Sequence, residues 1–211
     1  MGKLQKEDNR NASKARNSFV TKKAEAKLGL LADTFAGSLN GACKVAGRDT
    51  LKRMLRIEGF KYTEGLELIY NWENRFMSVN YNLQLLTKPD TDERFNETGS
   101  CAFEYVFNRK KSGWKCTRWL GDDAEMKNEY VQRLNNPLIA ERIKALDIAA
   151  LKINHTDKSG YFTISCDSLI GSSTWIFIPP IMQLITPDKT ECVKFVELFE
   201  LLADAVVNNA G

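Results

Sequence analysis

The residues best suited to chemistry in this chain are its cations. Arg48, Lys52 and Arg56 recur every four residues, with Lys44 and Arg53 beside them, so on a helix they would line one face. Such a face suits phosphates, because each phosphate neutralised by Lys or Arg releases condensed counterions. The surrounding sequence strengthens the field. Residues 1–61 hold 14 Lys and Arg against 6 Asp and Glu, whereas residues 62–211 hold 16 against 21. A formal net charge of +3 thus conceals a basic first third on a mildly acidic body. A polyanionic partner is the first expectation, a nucleic acid (DNA or RNA) above all. The bland reading stays open beside it, since a basic stripe is usually a solvated helix face.

A second set lies in the middle of the chain. Arg109, Lys110, Lys111, Lys115 and Arg118 interleave with Trp114 and Trp119. Cations can follow a phosphate backbone while rings stack on unpaired bases, with Trp119 the ring expected to be exposed. Aromatics at period two are, equally, the core face of a sheet.

Other chemistries are thinly supplied. Asp90, Asp92 and Glu93, and then Asp122, Asp123 and Glu125, are spaced closely enough to hold Mg²⁺ for phosphoryl transfer. Neither run has the glycine and closing glutamate of a calcium loop, and Asp122-Asp123 also suits a helix N-terminus. His155 is the only histidine, which removes most Ser-His, Cys-His and His-metal chemistry; it is expected to be exposed or at a strand end. The 5 cysteines contain no C-x-x-C pair, so they read as buried thiols in a reducing compartment such as the cytoplasm. No metal site and no cofactor is expected. No apolar stretch approaches a membrane span, the N-terminus does not read as a secretory signal, and no membrane partner is expected.

The elements that must position these residues follow from periodicity. Residues 1–27 read as a basic flexible arm with almost no large apolar side chain. Residues 28–77 read as a helical region, from apolar residues at helical spacing around Leu28 to Phe35, Ala42 to Ala46, Leu51 to Leu55 and Tyr62 to Phe76. Residues 78–211 read as an α+β body. Val79, Tyr81, Leu83 and Leu85 alternate as a strand, and Cys101–Leu120 reads as a hairpin with Phe107 opposite Trp114 and Tyr105 opposite Cys116. Helices are predicted over Asp122–Leu134 and Pro137–Ala150, split at Asn135-Asn136-Pro137. A second hairpin joins Leu151–His155 to Tyr161–Cys166, a strand covers Thr174–Ile178, and a C-terminal helix starts with Thr186 as its N-cap.

Within the helical region, Ala42, Val45, Gly47, Thr50, Leu51, Leu55 and Gly59 carry a pattern by which Gly37–Phe60 resembles a bacterial helix-turn-helix. The resemblance implies a recognition helix projecting Arg48, Asp49, Lys52, Arg53 and Arg56 toward a major groove.

The expected protein is therefore α+β: a basic N-terminal arm and a small helical region, then an antiparallel sheet of five or six strands with packed helices and a C-terminal helix. The expected function is non-enzymatic nucleic-acid binding through the basic first third. Two rival readings remain. One is a protein-interaction or assembly protein, homo-oligomeric or docking its arm on an acidic partner. The other is a carboxylate- and metal-dependent enzyme.

Overall fold

The computed structural model describes residues 19–89, 100–156, 161–177 and 180–208. It opens with helix α1 (Phe19–Ser38), which buries Thr21, Ala24, Leu28, Leu31, Ala32, Phe35 and Ser38, one stripe at spacings of three and four. Asn40 and Gly41, both at positive φ, turn the chain into strands β1 (Cys43–Asp49) and β2 (Lys52–Ile57). Four strands follow as two hairpins: β3 (Gly65–Arg75) with β4 (Ser78–Thr87), and β5 (Cys101–Val106) with β6 (Gly113–Trp119).

Two short helices come next. Asp123 caps α2 (Ala124–Leu134) by accepting from the Met126 amide at 2.9 Å, and Asn136 caps α3 (Pro137–Lys144) by accepting from the Leu138 amide at 2.9 Å. Strands β7 (Ile148–His155), β8 (Phe162–Phe177) and β9 (Pro180–Leu184) lead to the closing helix α4 (Lys189–Val207). At its start Asp188 and Glu191 form a reciprocal capping box.

Among the described residues, nine strands form one antiparallel sheet. Its order is β1-β2-β3-β4-β8-β7-β5-β6, and β9 pairs with β8 off this path. Burial alternates strictly. On β4, Val79, Tyr81, Leu83, Leu85 and Thr87 are buried while the residues between them face outward. The buried face receives the helices: α1 lies on β1, β2, β3 and β8, and α4 packs against α1, α2, α3 and β8. Phe35, Phe195, Phe199 and Leu202 meet Leu55, Leu68 and Ile164 in a single core cluster. The opposite face is polar and open, as one face of an antiparallel sheet can be. The molecule is thus α+β, as expected. None of the described helices is long and apolar enough to cross a membrane.

Several local expectations are corrected. The region read as helical, residues 28–77, is helical only to Ser38, and β1, β2 and β3 follow. There is consequently no helix-turn-helix in Gly37–Phe60, where a two-residue turn at Thr50-Leu51 joins two strands, with Leu51 at φ 57°. The sheet also runs through the expected boundary at residue 77, since β3 pairs with β4. From Phe19 onward the basic arm is packed helix, and residues 1–18 lie outside the described residues. Helix α3 ends at Lys144 because Ile148 already begins β7. The N-cap of α4 is Asp188 rather than Thr186. In the β5–β6 hairpin Tyr105, not Phe107, lies opposite Trp114, which leaves Phe107 exposed, and a register shift between Ala102 and Phe103 turns Trp119, the ring expected to be exposed, toward the core.

Two predictions follow from this packing. A Cβ on Gly65 would stand 1.9 Å from the Leu55 carbonyl oxygen of the neighbouring strand, so Gly65→Ala must push β3 off β2. Urea unfolding should show a loss of about 1–3 kcal/mol, and an unchanged midpoint would refute the close approach. The cysteines offer a second check. Cys43, Cys101, Cys166 and Cys192 are all buried, and burial pushes each thiol up, to about 12 for Cys101 and about 11 for Cys192. With the native protein at mildly alkaline pH, Ellman's reagent should titrate Cys116 rapidly and the other four only on unfolding. More than one rapid thiol would contradict this core.

Candidate nucleic-acid interface

Alternation along β2 sends neighbouring cations to opposite faces. Arg53 points with Leu55 and Ile57 into the helix layer, whereas Lys52, Met54 and Arg56 lie on the open face. Most of these charges already have partners. Lys44 Nζ lies 3.1 Å from Glu58, Lys52 Nζ 2.9 Å from Glu67, and an Arg56 guanidinium nitrogen 3.7 Å from Glu64. Arg53 is nearly enclosed, its side chain 7% exposed. Its guanidinium donates to the carbonyls of Asp49, Lys52 (2.7 Å) and Glu25 (3.2 Å), tying the β1–β2 turn to α1. Arg48 is exposed at the rim of a cavity of about 360 Å³ between α1 and the hairpin, which Arg53 and Lys22 also line, together with Glu25 and Asp33. Lys22 was expected only as one cation of the basic arm, and the packing of α1 on β1 and β2 brings it to the same cavity as Arg48.

The second set is differently placed. In the β5–β6 turn the Asn108 amide donates to Ser112 Oγ at 3.0 Å, the Lys110 amide to Asn108 Oδ1 at 3.0 Å, and Ser112 Oγ back to the Asn108 carbonyl at 2.7 Å. These bonds hold the turn while Arg109, Lys110 and Lys111 stay exposed. Lys115 and Arg118 are exposed on β6. None of the five has an ion pair among the described residues. Glu104, which faces Lys115 across the ladder, is 3.4 Å from Lys152 on its other side. The tryptophans pack inward. Trp114 is 3% exposed and meets Tyr105 edge-on at 5.8 Å, and half-buried Trp119 lies 6.5 Å from Phe103 against the core.

The two basic sets are not one patch. They occupy opposite ends of the sheet, with β3, β4, β8 and β7 between them, a gap of roughly 20–25 Å. The remaining candidates fall away from a common site. His155 ends β7, so of the two expected placements, exposed or at a strand end, the second holds; it is 2% exposed, its ring 5.4 Å from that of Phe162, because the last position of β7 faces the core. Asp123 is spent as a helix cap, and Asp90, Asp92 and Glu93 lie outside the described residues. No group of three or more His, Cys, Asp or Glu among the described residues is placed to hold a metal ion.

Comparison with known proteins adds one result. The model of a family described as "Protein of unknown function (DUF3156)" matches residues 37–206. The chain belongs to this DUF3156 family. No curated protein and no solved structure matches it. The matched span opens at the last residues of α1 and reaches into the last turn of α4, so the DUF3156 unit contains the whole sheet, α2, α3 and the cations of β5–β6. The basic residues from Lys3 to Lys27 precede it.

The contrast within β2 gives a direct prediction. Arg53→Ala deletes three bonds to carbonyls and empties an enclosed site, and should cost about 2–4 kcal/mol in chemical denaturation. Arg56→Ala removes an exposed pair and should stay within about 0.5 kcal/mol of the parent. Equal effects of the two changes would overturn the assignment of Arg53 as a structural residue.

Proposed function

We propose that this DUF3156 protein is a non-enzymatic nucleic-acid-binding protein whose phosphate contacts centre on the β5–β6 hairpin. The observation that supports this reading is the contrast in pairing: among the described residues Arg109, Lys110, Lys111, Lys115 and Arg118 are exposed without ion pairs, while in the first set only Arg48 is so placed and Lys44, Lys52 and Arg56 face glutamates. An unpaired cation can exchange counterions for phosphates, whereas a paired one must first give up its carboxylate. Residues 1–18, with Lys3, Lys6, Arg10, Lys14 and Arg16 against Glu7 and Asp8, add sequence-independent attraction. With the tryptophans packed inward, binding would read backbone charge rather than base identity. The five free cysteines accord with a reducing intracellular compartment, in which we place the protein.

A second reading, an interaction or assembly protein, is favoured by a different observation. The far ends of β3, β4 and β8 carry Trp72, Phe76, Met77 and Phe177 exposed, Phe76 at 98%. Apolar side chains gathered at one end of a sheet are costly unless something covers them. Sedimentation over a range of protein concentrations would support this reading if self-association appeared and Phe76→Ser removed it.

Fluorescence anisotropy with labelled single-stranded DNA, duplex DNA and RNA at two salt concentrations tests the main proposal. Changing the five β5–β6 cations to Ala should weaken binding by tenfold or more and flatten the log-log salt slope by about 3–4. The double variant Lys44→Ala/Arg56→Ala should bind nearly as the parent does. No binding at low salt, or unaltered binding by the five-residue variant, would overturn the proposal.

A further inference from the structure

A cavity of about 400 Å³ opens where α4, α3 and the loop between β2 and β3 meet. Phe60, Tyr62, Leu138 and Leu201 give it an apolar lining, and Leu138 is left 56% exposed at its edge. Along one wall, α4 presents Glu197, Glu200 and Asp204, spaced by three and four residues and therefore on one helix face. Two of these carboxylates are engaged. Glu197 Oε2 is 2.9 Å from Arg142 Nε, and Asp204 Oδ1 accepts from the Tyr62 hydroxyl at 2.6 Å. Glu200 has no ion pair among the described residues. Lys61, the other cation of the lining, holds its ammonium 4.8 Å over the Tyr62 ring.

We propose that this cavity binds a small organic amine, its ammonium on Glu200 and its apolar or aromatic body against Phe60, Leu138 and Leu201. The size fits, since small-molecule sites begin near 300 Å³ and are lined mostly by apolar side chains with a few placed polar groups. The sign of the ligand charge follows from the lining. Three carboxylates stand against two cations, and the Arg142 guanidinium is taken by Glu197, so an incoming carboxylate would meet net negative charge. An ammonium would instead supply the partner that Glu200 lacks. Glu200 is exposed at the cavity, and partial desolvation there, followed by the nearby Glu197 carboxylate, pushes its carboxyl up from the ordinary range, an effect that a bound cation would offset. The site is separate from the β5–β6 hairpin and stands or falls independently of nucleic-acid binding.

The test is isothermal titration of the full chain with 2-phenylethylamine and tryptamine, set against phenylacetate and indole-3-acetate. The amines should bind and raise the melting temperature, and the acids should do neither. Glu200→Gln should weaken amine binding about tenfold while leaving the melting temperature of the free protein unchanged, and Leu138→Ser should weaken it through lost apolar contact. Amine binding should also fade as pH drops, beginning above the usual glutamate range, and Glu200→Gln should lose that dependence. The other ionisable groups of the lining, Lys61, Tyr62, Arg142, Glu197 and Asp204, are present in both proteins. Acids binding as well as amines, Glu200→Gln binding as the parent does, or failure of both amines to bind would each overturn the proposal.

Discussion

The ladder of β8 is the interaction on which the rest of the molecule depends. This 16-residue strand pairs with β4 along one edge and with β7 and then β9 along the other, so it alone joins the β1–β4 half of the sheet to the β5–β7 half. Its inward residues Phe162, Ile164, Cys166, Ser168 and Ile170 carry the core across the join. A strand that long cannot follow a twisted sheet without a break in register, and the break comes at Gly171. There φ is +84°, the pairing with β4 shifts between Tyr81 and Leu83, and a Cβ would lie 2.5 Å from Leu83. Tyr70 secures the bend by donating to the Gly171 carbonyl at 2.6 Å, and its burial there raises the phenol to about 12. The hydroxyl therefore stays protonated and able to donate through neutral and mildly alkaline pH.

Once that join is fixed, the two hairpins at the ends of the sheet meet opposite electrostatic constraints. The β1–β2 hairpin lies under α1, where Arg53 is desolvated and held by three carbonyls, while Lys44, Lys52 and Arg56 are drawn into pairs with glutamates and Arg48 stays exposed at the rim. The β5–β6 hairpin forms the other edge and is covered by α2 on its inner face, where Tyr130 lies 6.0 Å from Phe103 and the Asn135 side-chain oxygen accepts from the Trp114 amide at 2.8 Å. Outward positions on that edge strand need charge merely to prevent pairing with another chain, which is one sufficient reason for Lys115 and Arg118. It is not a sufficient reason for Arg109, Lys110 and Lys111, which sit in a turn beyond the ladder.

How far this was legible in the sequence depends on which periods a segment could satisfy. Strand β4, the β5–β6 and β7–β8 hairpins, α2 and α4 were readable because strict alternation or a stripe at three and four admits only one answer. Segment 43–57 was not. A spacing of four is even, so Arg48, Lys52 and Arg56 share a face on a helix and on a strand alike, and counting cations could not separate the two. The deciding signal was apolar and shorter: Arg53, Leu55 and Ile57 alternating with Lys52, Met54 and Arg56. Strand β3 was misread for a related reason, because Leu66, Ile69 and Tyr70 satisfy helical spacing while the buried set is Leu66, Leu68 and Tyr70. The separation of the two basic sets could not be read at all, since strand order is set by pairing between residues as distant as Leu85 and Cys166.

The helix α1 shows why a sheet of this kind cannot be divided into a basic appendage and an independent body. Its Leu28, Leu31 and Phe35 enter the same core cluster as Leu55, Leu68 and Phe195, and it shares a long contact with α4. Without it the inward face of β1–β3 would stand open on Leu55, Leu66 and Leu68, three leucines that are now wholly enclosed. Exposing them would cost several kcal/mol, a large share of the margin by which a domain of this size is stable. The basic residues Lys22, Lys23 and Lys27 are thus carried on an element that the core requires, and their position relative to the sheet is as fixed as the packing beneath them. Charge that looked like a tail in the sequence is, from Phe19 onward, part of the rigid surface.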